Sequence, residues 1–243
     1  MPSLLVIGGT SEIAKATALA FGQDGWSVEL LGRNQDNLQK AAAELSVKMG
    51  HATILYHAFD VMDGNFSDFW KSQENKPDAV LCSVGLGFDP KHSQYDRSLT
   101  EKIYRTNFFS LVSILDVVAS SFENRGSGLI VGISSLASEW SRAYNYTYSA
   151  SKAALTAYLA GLRHKLADKG VRVITVNPGF VKTKMIESLE VPPYLISSPE
   201  TVARDILMAV KKKKEVIYTP RMWRWIIFIL KILPEWILKR LKI

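Results

Sequence analysis

Tyr148-Ser-Ala-Ser-Lys152 stands at the centre of the stretch that decides the fold, which runs from Gly128 to Met185. Ahead of it, Gly128-Leu-Ile-Val-Gly-Ile133 reads as a buried strand running into Ser134-Ser135, which puts a hydroxyl at a strand's carboxyl end. Behind it, Val171-Arg-Val-Ile-Thr-Val-Asn177 reads as a second buried strand, ending in Pro178-Gly179-Phe180-Val181-Lys182-Thr183. If the segment between them opens a helix at Tyr148, that residue and Lys152 lie one turn apart on the same face. An ammonium beside a phenol favours the phenolate. The spacing therefore predicts a Tyr148 pKa below its ordinary value of about 10, and a proton donor and acceptor at this position. The alternative is a chance pair on a helix surface, although of nine tyrosines Tyr148 alone has Lys four residues later.

The same alternation extends in both directions. Ser3 to Ile7 is a short apolar strand, and Gly8-Gly9-Thr10-Ser11-Glu12-Ile13-Ala14 leads from it into an alanine-rich helix reaching about Asp24. Such a strand, glycine turn and helix lets backbone N–H groups approach a pyrophosphate, but a tight turn uses glycine without binding anything. Further strands are expected at Ser27 to Leu31, His51 to Ala58, Ala79 to Ser83 and Val216 to Tyr218. Helical patterns cover Asn34 to Gly50 and Ser98 to Phe122, and Ser198-Pro199-Glu200 opens another with Ser as N-cap and Pro at the first position. The expectation is an α/β, doubly wound parallel sheet of seven strands with six helices, a Rossmann arrangement in one domain over residues 1–220. Ligands of such sheets bind outside the carboxyl ends of the strands.

Ser135, thirteen residues before Tyr148-x-x-x-Lys152, and the Pro178-Gly179-x-x-x-Thr183 that follows resemble the motifs of the short-chain dehydrogenase/reductase family. The resemblance implies carbonyl reduction, with Ser135 and Tyr148 bonded to the carbonyl oxygen, Tyr148 as proton donor and Lys152 on the nicotinamide ribose. Asn107, in Thr106-Asn107-Phe108-Phe109, falls where the family has a fourth catalytic residue; the other reading is an Asn bonded within its own helix. Cofactor contacts are implied at Gly8, Thr10, Ser11 and Ile13, at Asp60 and Val61 near the adenine, at Gly85, and at Pro178, Gly179, Val181 and Thr183. Departures are plain: Glu12 and Ala14 replace two glycines of the family's first turn, and Cys82-Ser83-Val84-Gly85 stands where the family has Asn-Asn-Ala-Gly. A carboxylate at Glu12 would repel a diphosphate unless it points away or accepts a backbone N–H. Where NAD-preferring members carry Asp, this chain has Gly32, followed by Arg33. A guanidinium suits a 2′-phosphate, so NADP(H) is favoured over NAD(H); a solvated Arg opening a helix is the alternative.

The net charge of +7 belongs to the end of the chain: between 211 and 243 ten Lys or Arg face two Glu, and the first 210 residues are close to neutral. That asymmetry speaks against a nucleic-acid-binding surface. One cysteine, Cys82, excludes an intrachain disulfide, no export signal opens the chain, and the four histidines show no metal-ligand spacing, so a cytoplasmic enzyme without a metal is expected. Residues 221–243 form an amphipathic tail carrying Trp223, Trp225, Phe228 and Trp236 among Ile, Leu and six Lys or Arg. Its longest uncharged run, Trp225 to Leu230, is far short of the ~20 residues a span needs. Wound as a helix, Arg224, Lys231, Glu235, Lys239 and Lys242 share one wedge, with Pro234 dividing the tail in two. The pattern predicts either an in-plane anchor at the cytoplasmic membrane face or a contact with another subunit, the family being commonly oligomeric. Gly8-Gly-Thr-Ser-Glu-Ile13 and this tail resemble the reductase branch of the decaprenylphosphoryl-ribose 2-epimerase system, which implies a lipid-linked keto-sugar substrate. With Lys184 to Ser198 short for a substrate lid, an open site is expected. The competing readings are a reductase of a soluble carbonyl compound and a non-catalytic nucleotide-binding protein.

Overall fold

The computed structural model describes residues 1–87 and 95–240. Its strands and helices alternate as β1 (Ser3–Ile7), α1 (Glu12–Gln23), β2 (Ser27–Gly32), α2 (Gln35–Lys48), β3 (Leu55–Ala58), α3 (Phe66–Ser72), β4 (Ala79–Cys82), α4 (Arg97–Tyr104), α5 (Ser110–Arg125), β5 (Gly128–Ile133), α6 (Tyr146–Leu166) and β6 (Val171–Pro178). There follow β7 (Phe180–Val181), β8 (Ile196–Ser197), α7 (Pro199–Lys211), β9 (Val216–Thr219), α8 (Met222–Ile232) and α9 (Glu235–Leu238). The seven-stranded sheet is parallel throughout, in the order β3-β2-β1-β4-β5-β6-β9. Because the chain winds outward from β1 to β3 and then returns to β4, the switch point lies between β1 and β4, and their carboxyl ends open a crevice there.

The strands are apolar on both faces because helices cover both. Leu4 and Val6 of β1 face a core completed by α1, α2 and α7, while Leu5 and Ile7 face one completed by α5 and α6. Helix caps match the chemistry of their residues: Ser11, Asn34 and Ser198 each accept a backbone N–H in the first turn, with Pro199 opening α7.

Three features go beyond what the sequence pattern carries. The stretch between Lys184 and Ser198 is less irregular than its sequence, since β7 and β8 pair as a two-stranded parallel ribbon and two 3₁₀ turns flank the gap between them. Pro234 caps α9 and so divides the tail between α8 and α9. Most consequentially, the tail does not hang free over an open site. Trp223, Ile227 and Leu230 are buried against Leu136 in a third apolar cluster, with Trp140 and Phe180 packed on it. Lys231 reaches the Glu139 carboxylate, which also accepts from Tyr218 Oη at 2.5 Å and Asn177 Nδ2 at 3.3 Å. At 100° per residue, Trp225, Phe228, Ile229 and Ile232 fall on the opposite side of α8, and all four are exposed. The helix therefore has two apolar faces, one inward and one outward, where the sequence reads as a single wide one. Lys242 lies outside the described residues.

Candidate active site

Each crevice residue is delivered by a strand end or by the first turn of a helix. Gly8 leaves β1 at φ +83°, and a Cβ there would lie 2.9 Å from the Ser83 carbonyl, so both its conformation and its close approach to the β4 end require glycine. The same junction is tied by Ser11 Oγ to Ser83 Oγ at 3.0 Å. Ser83 thus holds the turn where the family resemblance implies an asparagine. Glu12 resolves its own difficulty: its Oε1 accepts the Lys184 backbone N–H at 3.4 Å, joining the start of α1 to the segment after β7.

Ser11, Ile13, Gly85, Ser135, Tyr148, Lys152, Pro178, Gly179, Val181 and Thr183 all line one groove. Gly8 lies beneath it, and the others from the glycine turn and from β2 and β3 do not line it: Thr10 and Arg33 are exposed, and Val61 packs against the α5–α6 core. Asp60 Oδ1 accepts the Met62 N–H at 2.9 Å, a local turn contact. Thr183 Oγ1 donates to the Val181 carbonyl at 3.2 Å, which fixes the hydroxyl at the groove wall.

Asn107 is fully buried, and its bonds go outside its own helix. Its Oδ1 accepts Leu86 N–H at 2.6 Å, and its Nδ2 donates to Leu86 O and to Ser151 Oγ, each at 3.0 Å. The helix around it, Arg105–Phe109, makes a π-turn between α4 and α5, a local widening common at functional sites. Asn107 so clamps the Gly85–Leu86 backbone to α6 next to Lys152. A Cβ on Gly85 would sit 3.3 Å from Lys152 Nζ.

Lys152 and Tyr148 share the groove, but the expected ammonium–phenol pairing is not what sets the tyrosine. Lys152 is 3% exposed and donates to the carbonyls of Ile133 at 3.1 Å and Val84 at 3.5 Å. Burial pushes its ammonium down to about 8. Burial also raises the Tyr148 phenol, opposed by a hydrogen bond with Ser135 and by the positive charge of Arg142. The backbone carbonyls at the ends of β4 and β5 compete for the lysine more effectively than the phenol does. An intact acid at neutral pH is what a proton donor needs. Ser135 Oγ also accepts the Ala137 N–H at 3.1 Å, which anchors the hydroxyl at the end of β5.

Ser135, Tyr148, Pro178 and Gly179 have a second side. They also line a cavity walled by Leu136, Trp140, Phe180, Met185, Ile186, Leu189 and, from the tail, Trp223 and Ile227. A Cβ on Gly179 would come within 2.1 Å of Trp223 Nε1, so glycine here lets the tail close over the end of β6. The Trp140-Ser-Arg-Ala-Tyr144 segment of this wall was not singled out from sequence. Three aromatic or cationic residues in five, directly between Ser135 and Tyr148, are the signal that pointed to it.

A family model described as short chain dehydrogenase matches residues 3–192. An uncharacterised oxidoreductase of Mycobacterium tuberculosis is 28% identical over 242 residues, covering 98% of this chain and 96% of that protein. Sulfoacetaldehyde reductase 2 of Chromohalobacter salexigens is 29% identical over 184 residues, 74% of this chain and 73% of its own length. Among solved structures, a short-chain dehydrogenase from Sphingobium yanoikuyae in complex with NADPH superposes with TM-score 0.82 at 19% identity, covering 97% of each chain.

Proposed function

This chain belongs to the short-chain dehydrogenase family and is an oxidoreductase, and on that premise we propose that it reduces a ketone to an alcohol across the wall formed by Ser135 and Tyr148. The observation that carries this reading is that these two hydroxyls line both chambers, the groove lined by the cofactor-type residues and the apolar cavity. The groove fits a nicotinamide dinucleotide on its own chemistry: a glycine cradle under a helix N-terminus, a buried lysine at its floor and a fixed Thr183 hydroxyl at its wall. When bound, the reduced nicotinamide supplies the hydride. Ser135 and Tyr148 hold the carbonyl oxygen, and Tyr148 Oη gives its proton to the oxygen as negative charge develops there. Lys152 holds the cofactor ribose, and Asn107 positions Lys152 and Gly85. Ser11, Ile13, Gly85, Pro178, Gly179, Val181 and Thr183 make the remaining contacts within the groove, and Gly8, Thr10, Asp60 and Val61 are assigned to the cofactor from the family resemblance alone, outside the groove's lining. Consumption of NADPH with a panel of ketones tests the reading, and a protein that binds NADPH but turns over none of them would count against it.

Arg33 favours NADP(H). It is exposed at the carboxyl end of β2, beside the N-cap of α2, where a 2′-phosphate would meet a guanidinium instead of the missing carboxylate. A charge-assisted contact of roughly 1.5–3 kcal/mol corresponds to about a tenfold to hundredfold preference for NADPH over NADH. Arg33→Ala is expected to remove most of it in fluorescence titrations of both cofactors; equal affinities in the unaltered protein would make Arg33 a surface residue only.

The substrate we infer is membrane-resident, a lipid-linked keto-sugar fitting both the cavity and the tail. Support comes from α8 serving two surfaces. Trp223 and Ile227 wall the cavity, while Trp225 (67% exposed), Phe228, Ile229 and Ile232 face outward, with Trp236 (63% exposed) beyond them. Lys212, Lys213, Lys214, Arg221 and Arg224 surround Trp225 in a neighbouring cleft, a basic border suited to anionic headgroups. No helix among the described residues is long and apolar enough to cross a membrane, so the contact would lie in the interface plane. Since α8 also completes the core, removing the tail would expose Leu136, Trp140 and Phe180, on which it packs, and confuse the test. Replacing Trp225, Phe228 and Ile232 together by Ser leaves the inner face intact. Burying such side chains is worth about 1.5–3 kcal/mol each, so co-sedimentation with phosphatidylglycerol vesicles is expected to fall at least tenfold in the triple variant. Unaltered protein that stays in the supernatant would contradict the membrane reading.

A further inference from the structure

The cavity beside Tyr148 is apolar over most of its wall, yet two buried donors on that wall have no acceptor among the described residues. Arg142 is one. Its guanidinium carbon lies 5.0 Å from the ring centres of both Tyr144 and Phe180 and 5.8 Å from that of Trp140, and its Nε is enclosed without a hydrogen-bond partner. Aromatic faces hold a guanidinium in place without satisfying its N–H groups. No ion pair of Arg142 with a carboxylate occurs among the described residues, whereas Arg97 and Arg163 each reach one. Trp223 is the other donor: the residue is 5% exposed, its indole N–H has no partner, and the nitrogen lies against Gly179 on the same cavity wall. Buried donors are nearly always satisfied, so two orphans around one cavity call for an acceptor from outside the chain. Burial lowers the Arg142 pKa, but a guanidinium starts so high that it keeps its charge.

We propose that Arg142 is the recognition residue for an oxyanionic group (carboxylate, sulfonate or phosphate) carried by the carbonyl substrate, with the Trp223 indole N–H as a second donor. This rests on the reading of the cavity as the substrate's place. A planar fork of N–H donors matches a two-oxygen face of such a group, and the enclosing apolar wall excludes the water that would otherwise weaken the contact. The class of substrate that follows is a ketone with an apolar body and one anionic substituent. A soluble keto acid and a lipid-linked phosphate ester both meet that description.

Calorimetric titration decides it without turnover. The probes are 4-phenylbutyrate against its neutral analogue 4-phenylbutyramide, and farnesyl phosphate against farnesol. At least one anion is expected to bind tenfold or more tightly than its neutral partner; the tighter anion says whether a soluble acid or a lipid phosphate is the source. Arg142→Met should erase the preference, Arg142→Lys should keep part of it, and Trp223→Phe should weaken it while leaving the ring in place. Equal binding of both pairs by the unaltered protein, or a preference that survives Arg142→Met, overturns the proposal. Should Arg142→Met not fold, the unaltered protein and Arg142→Lys still decide: no anion preference in the unaltered chain, or an undiminished one in Arg142→Lys, overturns the proposal. Because no hydride moves in this experiment, a failure of ketone reduction would leave the anion preference standing, and loss of that preference would leave reduction standing.

Discussion

Tyr148→Phe is expected to cut the turnover of any ketone substrate by ~10²–10⁴, the range typical of lost general acid catalysis, while NADPH binds nearly as before. The ring stays in place because α6 holds it through its backbone, and only the Oη that meets Ser135 is removed. Lys152, which carries the proposed cofactor contact, is fixed by the Ile133 and Val84 carbonyls and not by the phenol, so the substitution leaves it undisturbed. Single-turnover rates alongside cofactor titrations separate the two effects. A Phe variant with near-normal turnover would remove Tyr148 from the chemistry, and one that fails to bind NADPH would make it a cofactor residue instead.

The second large effect is a pH dependence of stability. Lys152 has a folded-state pKa of about 8 against an ordinary 10.5, because burial disfavours its charged form. Between those values the unfolded chain holds more protons at this site than the folded one, so stability rises with pH through that window. Below pH 8 both states are protonated and the penalty is complete. The shift corresponds to a gain on the order of 3 kcal/mol across the window. Tyr158 and Tyr218 work the other way at its upper end, their phenols being raised by burial and by Asp116 and Glu139. Comparison with Lys152→Met isolates the lysine: urea unfolding at pH 7.5 and pH 9.5 should show the gain in the unaltered protein and not in the variant, which should also lose ~10² or more in turnover. Parallel curves for the two proteins would mean that the buried ammonium carries no such penalty.

Much of this architecture was legible in the chain because parallel strands covered on both faces are nearly continuous apolar runs, and β1, β4 and β5 are of that kind. The edge strand β3 was read too long, from His51, since an exposed edge with Leu55 open to solvent leaves little pattern to mark its start. Tyr148 and Lys152 were paired by helical spacing, while Ser135 and Thr183 came from the family's motif pattern; all four line one groove because they sit at strand ends and a helix start on the same side of the sheet. What spacing does not carry is competition. Whether Lys152 serves Tyr148 or two backbone carbonyls depends on β4, seventy residues away in sequence, and only the folded sheet brings Val84 to it. The same holds for Glu12, whose acceptor role depends on Lys184. Arg142 and Trp223 escaped for another reason: an arginine among aromatics and a tryptophan on an amphipathic helix are ordinary surface features until the fold turns both inward around one cavity. The tail shows how periodicity misleads, because a helix with apolar residues on two opposite sides has the composition of one broad face.

The most direct test of the central claim is the fate of the hydride. NADPH deuterated at the transferable position, incubated with the protein and a membrane-lipid extract or a panel of keto acids, is expected to place one deuterium on carbon in a new alcohol, detected by mass spectrometry. Tyr148→Phe should give at most about one hundredth of that product in the same time. Deuterium appearing equally with both proteins, or in no product with either while NADPH binds, would contradict the account of Ser135 and Tyr148 as the reducing wall between two chambers.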